Sequence, residues 1–124
     1  IRVKDSFNSY PIDRFASAGA IAAMQDKTYF EETCSKVVTT RQSLVDALTK
    51  LGFDVLPSGA NFIFAKHKTR DGAELTSLLR QHNIIVRHFK SPSRIAPYLR
   101  ITIGTDTQSK VLIDTLTALL SNAL

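Results

Sequence analysis

Two arginines set inside apolar, strand-forming runs are the residues of this chain best suited to chemistry. Arg87 follows Ile84-Ile85-Val86, and Arg100 stands between Leu99 and Ile101-Thr102-Ile103. Side chains alternate across a strand, so Arg100 and Thr102 share one face while Leu99, Ile101 and Ile103 share the other. By the same count Ile85, Arg87 and Phe89 lie opposite Ile84, Val86 and His88. A guanidinium among β-branched side chains needs an anionic partner, because burying an unpaired charge is costly. Its planar fork grips a carboxylate or phosphate through two parallel hydrogen bonds. If the two runs are neighbouring strands, both forks point at one spot and form a receptor for a negatively charged metabolite. The alternative is structural, with each arginine paired to a carboxylate of the same chain or lying at a strand edge with its head in water.

No complete catalytic set accompanies them. The five glycines are single, without a strand–GxGxxG–helix or GxxxxGK[ST] phosphate loop, and there is no G-x-S-x-G elbow. Glu31-Glu32 falls in the first turn of a helix, where acids favour the dipole. Cys34 is a lone cysteine and lies on an apolar helical stripe, which predicts a core position. His67, His82 and His88 lack metal-ligand spacing, so no metal is expected.

The elements that must position the arginines follow from periodicity and punctuation. Pro11, at a favoured first helical position, opens a helix to about Gln25. Its face of small residues (Ala16, Ala18, Gly19, Ala20, Ala22, Ala23) predicts a closely packed core helix. Thr28-Tyr29-Phe30-Glu31 has the form of a capping box and starts a long second helix. Its stripe is Phe30, Cys34, Val37, Val38, Leu44, Val45, Leu48 and Leu51, with Gly52 as the stop. Strands are expected at Phe53–Leu56 and Asn61–Ala65 around the turn Pro57-Ser58-Gly59-Ala60, with a polar connection from His67 to Arg70. Asp71 begins a short helix with Leu75, Leu78 and Leu79 inward, and Asn83 closes it. The two arginine strands follow. Gly104-Thr105-Asp106-Thr107-Gln108 caps a last helix whose apolar side is Val111, Leu112, Leu116, Leu119 and Leu120. This order predicts an α+β domain, a small sheet of about four strands covered by helices.

With 124 residues, 44% of them hydrophobic and 22% charged, the chain has the size and composition of one globular domain. The net charge of +5 is spread rather than striped, which argues against a nucleic-acid module. No apolar run is long enough to span a bilayer and no signal peptide opens the chain, so a cytoplasmic setting is the default. The chain starts at Ile1-Arg2-Val3 without methionine, as a piece of something longer would. A stand-alone basic domain that binds or interacts through its surface is the competing reading.

Phe7-Asn8-Ser9-Tyr10-Pro11, Thr40-Arg41, Leu51-Gly52-Phe53, Pro57-Ser58-Gly59-Ala60-Asn61-Phe62, Ile85-Val86-Arg87 and Tyr98-Leu99-Arg100-Ile101-Thr102-Ile103-Gly104 occur in that order. This ordered set closely resembles the C-terminal part of the histidinol-phosphate aminotransferases, pyridoxal-phosphate enzymes of the aspartate aminotransferase fold type. The resemblance implies that residues 11–124 are the small domain and residues 1–10 a linker from a missing large domain. It implies a cytoplasmic, homodimeric parent that exchanges an amino group between L-glutamate and imidazole-acetol phosphate in histidine biosynthesis. Aminotransferases of the same fold type acting on aromatic or other amino acids share much of the pattern. Arg100 matches the arginine that grips the α-carboxylate of glutamate, and Arg87 the position that helps to hold a phosphate or side-chain carboxylate. Asn8, Tyr10 and Asn61 match motif positions for which a structural role at the domain junction is expected. No lysine here stands in the family's Schiff-base motif. The chain alone is therefore expected to hold no catalytic residue, to bind no cofactor and to be inactive.

Overall fold

The computed structural model describes residues 12–121, so Asn8, Tyr10 and Pro11 lie outside the described residues. The chain divides into two compact units, Ile1–Cys34 and Ser35–Leu124. The elements are α1 (Arg14–Gln25), α2 (Lys27–Lys50), β1 (Phe53–Val55), β2 (Phe62–His67), α3 (Gly72–Gln81), β3 (Arg87–His88), β4 (Leu99–Thr102) and α4 (Asp106–Ser121). Their order and α+β class are those expected from the sequence.

In the first unit the helix starts are set by aspartates. The Asp13 carboxylate accepts from Ala16 N at 2.9 Å and caps α1, so the helix begins after the expected proline position. Asp26, not Thr28, caps α2, accepting from Tyr29 N at 3.1 Å. A short carboxylate at the first non-helical residue reaches the free N–H groups of the opening turn, and here it displaces the expected capping box. No residue of α1 is buried. The expectation of a packed core helix therefore fails for the small-residue face, because nothing in this unit covers it. Phe15, Ile21, Met24, Tyr29 and Phe30 are likewise exposed.

The second unit carries the core. Its sheet has the order β1-β2-β4-β3, and every neighbouring pair is antiparallel. On one face Phe53, Ile63, Ala65, Leu99 and Ile101 are buried with Leu44 and Leu48 of α2, Leu75 and Leu79 of α3, and Leu112 and Leu116 of α4. Along α2 the buried stripe is Thr40, Leu44 and Leu48, flanked by half-buried Val37 and Val45. Cys34 is exposed, a correction to its expected core position: the layer that buries α2 reaches back only to Val37. Val38 and Val111 are exposed as well, one step off the stripe that meets the sheet.

Local chemistry fixes the joints of this unit. Gly52 ends α2 at φ 88°, a conformation that disfavours a Cβ. Asp71 caps α3, accepting from Ala73 N at 2.9 Å and Glu74 N at 3.0 Å. At its other end Asn83 adopts φ 60°, while Asn83 N donates to Arg80 O and Ile84 N to Leu79 O. Those two bonds form a Schellman motif. This wrap uses Ile84–Val86 as a connection, so β3 is two residues long rather than a full apolar strand. Thr105 and Gln108 exchange side-chain to backbone bonds of 3.2 and 2.9 Å, the reciprocal capping box expected at the start of α4.

Candidate anion-binding site

The open face of the sheet is where the arginines lie. Arg87 of β3 stands directly across from Arg100 of β4, and Arg100 directly across from Phe64 of β2. Facing residues of an antiparallel pair project to the same side, with Cα atoms about 4.5–5.5 Å apart. The sheet therefore brings both guanidiniums onto one face, the arrangement a shared anion requires. The opposite face, one residue along each strand, is the core.

Neither arginine is neutralised by a carboxylate among the described residues. Among the described residues the ion pairs are Lys66–Asp54, Arg70–Glu74 and Lys110–Asp114, and no carboxylate lies within 4.0 Å of Arg87 or Arg100. The Nε of Arg100 is buried with no hydrogen-bond partner among those residues. A buried donor left unmade costs about 1–3 kcal/mol, a cost that an arriving oxygen acceptor removes. Arg87 is exposed and Arg100 half-buried, so the pair is open to solvent from one side.

Aromatic rings floor the site, and of these strand alternation alone places only Phe89 on the face of Arg87. The Arg100 Cζ lies 5.3 Å from the Phe62 ring centroid and 5.8 Å from that of Phe89, while the Arg87 Cζ lies 5.6 Å from Phe89. Phe64 meets Phe62, Phe89 and Tyr98 at centroid distances of 5.9, 6.3 and 6.4 Å. Lys66 lies over Tyr98 at 5.7 Å. The signal was present: Phe62, Phe64 and Lys66 alternate with Ile63 and Ala65. An unbroken apolar run hides that alternation until the register with β4 is known.

The surrounding segments hold these residues in place. Ser58 Oγ donates to Phe62 O at 2.6 Å and accepts from Ala60 N, fixing the entry to β2. Arg41 Nη1 donates to Ala60 O at 2.8 Å, and Thr40 Oγ1 donates to Asp106 at 2.6 Å. The Thr40-Arg41 pair thus ties α2 to the strand entry and to the start of α4. Asn61 is exposed, and its carbonyl accepts from Ile103 N at 2.8 Å, extending the β2–β4 ladder by backbone rather than side chain. His88 Nε2 donates to Ala96 O at 2.6 Å and anchors the loop that leads into β4. That loop runs close to α3: a Cβ on Gly72 would come within 2.9 Å of the Pro97 carbonyl. Among the described residues no helix is long and apolar enough to cross a membrane, and among them no group of three His, Cys, Asp or Glu is placed to hold a metal.

Comparison with known proteins agrees with this architecture. The chain is 63% identical over 118 residues to histidinol-phosphate aminotransferase 2 of Thiobacillus denitrificans, covering 95% of this chain and 33% of that protein. It is 57% identical over 115 residues to histidinol-phosphate aminotransferase of Pseudomonas putida, covering 93% of this chain and again 33% of the relative. The chain thus spans about a third of the length of the curated relatives it matches. The crystal structure of the histidinol-phosphate aminotransferase from Clostridium acetobutylicum superposes with a TM-score of 0.85 at 24% identity, covering 98% of this chain and 37% of that one. The Sinorhizobium meliloti enzyme, solved in complex with pyridoxal-5'-phosphate, gives 0.84 at 23% identity, covering 99% and 34%. At these identities the two structures speak for the fold. The family model for aminotransferase class I and II matches residues 1–116, and the chain belongs to that family.

Proposed function

We propose that residues 11–124 form the substrate-binding small domain of a pyridoxal-phosphate aminotransferase, with residues 1–10 the linker to its large domain. In this reading the whole enzyme transfers an amino group between L-glutamate and imidazole-acetol phosphate, giving 2-oxoglutarate and L-histidinol phosphate. The observation that carries the reading is the facing pair Arg87 and Arg100, on one open face with no carboxylate of their own among the described residues. The relatives at 57–63% identity, named as histidinol-phosphate aminotransferases, support the choice of substrate.

The work of this chain is recognition. Arg100 receives the α-carboxylate of glutamate in one half-reaction and the phosphate of histidinol phosphate in the other, since a planar fork accepts either anion. Arg87 adds a second fork for the doubly charged phosphate or the side-chain carboxylate. The aromatic floor keeps water from the inner side of both forks, which strengthens the pairing. Asn8, Tyr10 and Asn61 are read as structural residues of the domain junction. The amino-group transfer belongs to pyridoxal phosphate, which supplies an electrophilic carbonyl and an electron sink. The described residues do not fit that cofactor. Lys66, the lysine of β2 on this face, is partly exposed and paired with Asp54 at 4.0 Å. Holding the cofactor is assigned to the part of the enzyme that this chain does not span. The same reading makes the enzyme cytoplasmic and homodimeric.

Steady-state kinetics of the full-length protein test it. Arg100→Ala is expected to lose about 2–5 kcal/mol in kcat/KM for L-glutamate and for histidinol phosphate alike. Unchanged kinetics with both substrates would remove Arg100 from the site.

A further inference from the structure

Phe89 carries no polar group and belongs to none of the ordered motifs, yet both guanidiniums reach its ring. The Arg87 Cζ is 5.6 Å and the Arg100 Cζ 5.8 Å from its centroid. Like charges on directly facing residues of a sheet repel. No carboxylate among the described residues lies within 4.0 Å of either arginine to offset that repulsion. The face of an aromatic ring attracts a cation through its quadrupole, within about 6 Å of the centroid. One ring within that distance of both guanidiniums attracts both, which an aliphatic side chain of equal size does not do. Phe89 is itself held in place. It is half-buried and leans on Phe64 at 6.3 Å, and His88 beside it is bonded to the Ala96 carbonyl at 2.6 Å.

We propose that Phe89 is a positioning residue of the anion receptor. Its ring holds Arg87 and Arg100 side by side while no anion is present, so an arriving carboxylate or phosphate meets two forks already aligned. Alignment before binding lowers the ordering cost of association and so raises affinity. The inference rests on the receptor reading given above and goes beyond it in naming the group that prepares the receptor.

The test uses the full-length protein and inorganic phosphate as probe, with affinity read by calorimetry. Phe89→Leu removes the π face and retains apolar bulk, and is expected to weaken phosphate binding roughly 10-fold. The KM values for L-glutamate and histidinol phosphate should rise together, with kcat within about 2-fold of the parent. Phe89→Tyr, which keeps the ring, should restore the parent affinity. The Arg100 Nε–Hε resonance should shift and broaden in Phe89→Leu even without phosphate, because the side chain loses its ring and its fixed orientation. If circular dichroism shows that Phe89→Leu does not fold, Phe89→Met carries the same expectations. Arg100→Ala is measured in parallel. Loss of phosphate binding in Arg100→Ala with unchanged affinity in Phe89→Leu overturns the positioning role alone. Unchanged affinity in both overturns the receptor reading and this inference with it.

Discussion

The two faces of the sheet are built from alternate residues of the same strands and obey different rules. On β4, Leu99 and Ile101 are 1% and 3% exposed beneath three helices, while Arg100 between them faces outward with a buried Nε that has no hydrogen-bond partner among the described residues. On β2, Ile63 and Ala65 are fully buried, while Phe62, Phe64 and Lys66 are half-buried on the other side. The inner face is organised by removal of apolar surface from water, which is non-directional and tolerates any well-packed set. The outer face keeps two like charges adjacent and spends its aromatic area on them. The comparison teaches that stability and the proposed recognition are separated here by one residue along the strand.

That separation makes the two faces experimentally divisible. The largest expected effect is Leu99→Ala, which should cost about 2–5 kcal/mol of stability by cavity formation. Thermal or denaturant unfolding of the full-length protein measures it, and phosphate affinity of the folded fraction should be unchanged. A joint loss of stability and affinity would break the division. On the outer face the order reverses: Arg100→Ala should remove the anion without lowering the unfolding midpoint, because it also removes an unmade buried donor and a like-charge repulsion. Arg100→Lys sharpens this, since it keeps the charge and deletes the fork. We expect it to recover at most about half of the lost binding energy, because a point charge does not reproduce two parallel bonds. Phe89→Leu falls below these, with the roughly 10-fold loss given above. The smallest effect expected is for Asp71→Ala, which removes the cap of α3 and should cost about 1 kcal/mol in stability with no change in anion affinity. Chemical denaturation and the phosphate titration together read both halves of that outcome.

The sequence anticipated more of the fold than of the site. Element order, the Asp71 cap, the Gly52 stop, the Asn83 closure and the Thr105–Gln108 box are local, set by residues within a few positions of each other. They were legible for that reason. The packed states of Cys34 and of the Ala-rich stretch were not, because burial of a helical face depends on what another layer covers. A 24-residue helix such as α2 extends past its covering layer without any change in its own pattern. The short β3 was hidden for a related reason: the backbone wrap at the end of α3 claims Ile84 before the sheet does.

For the site, the chain's own residues determined which groups were suited to hold an anion: two forked cations inside strand-forming runs, whose alternation gave each a face opposite the core. Only the tertiary structure decided that the two faces coincide. The register Arg87 opposite Arg100 is set by pairing between segments joined through the long loop 89–98, and a slip of one residue would have turned one arginine into the core. The aromatic floor depends on the same pairing, because Phe62 and Phe64 reach Arg100 from a strand more than thirty positions away in sequence. Alternation is a property of one strand and can be read from it. Juxtaposition belongs to two strands, and folding alone supplies it.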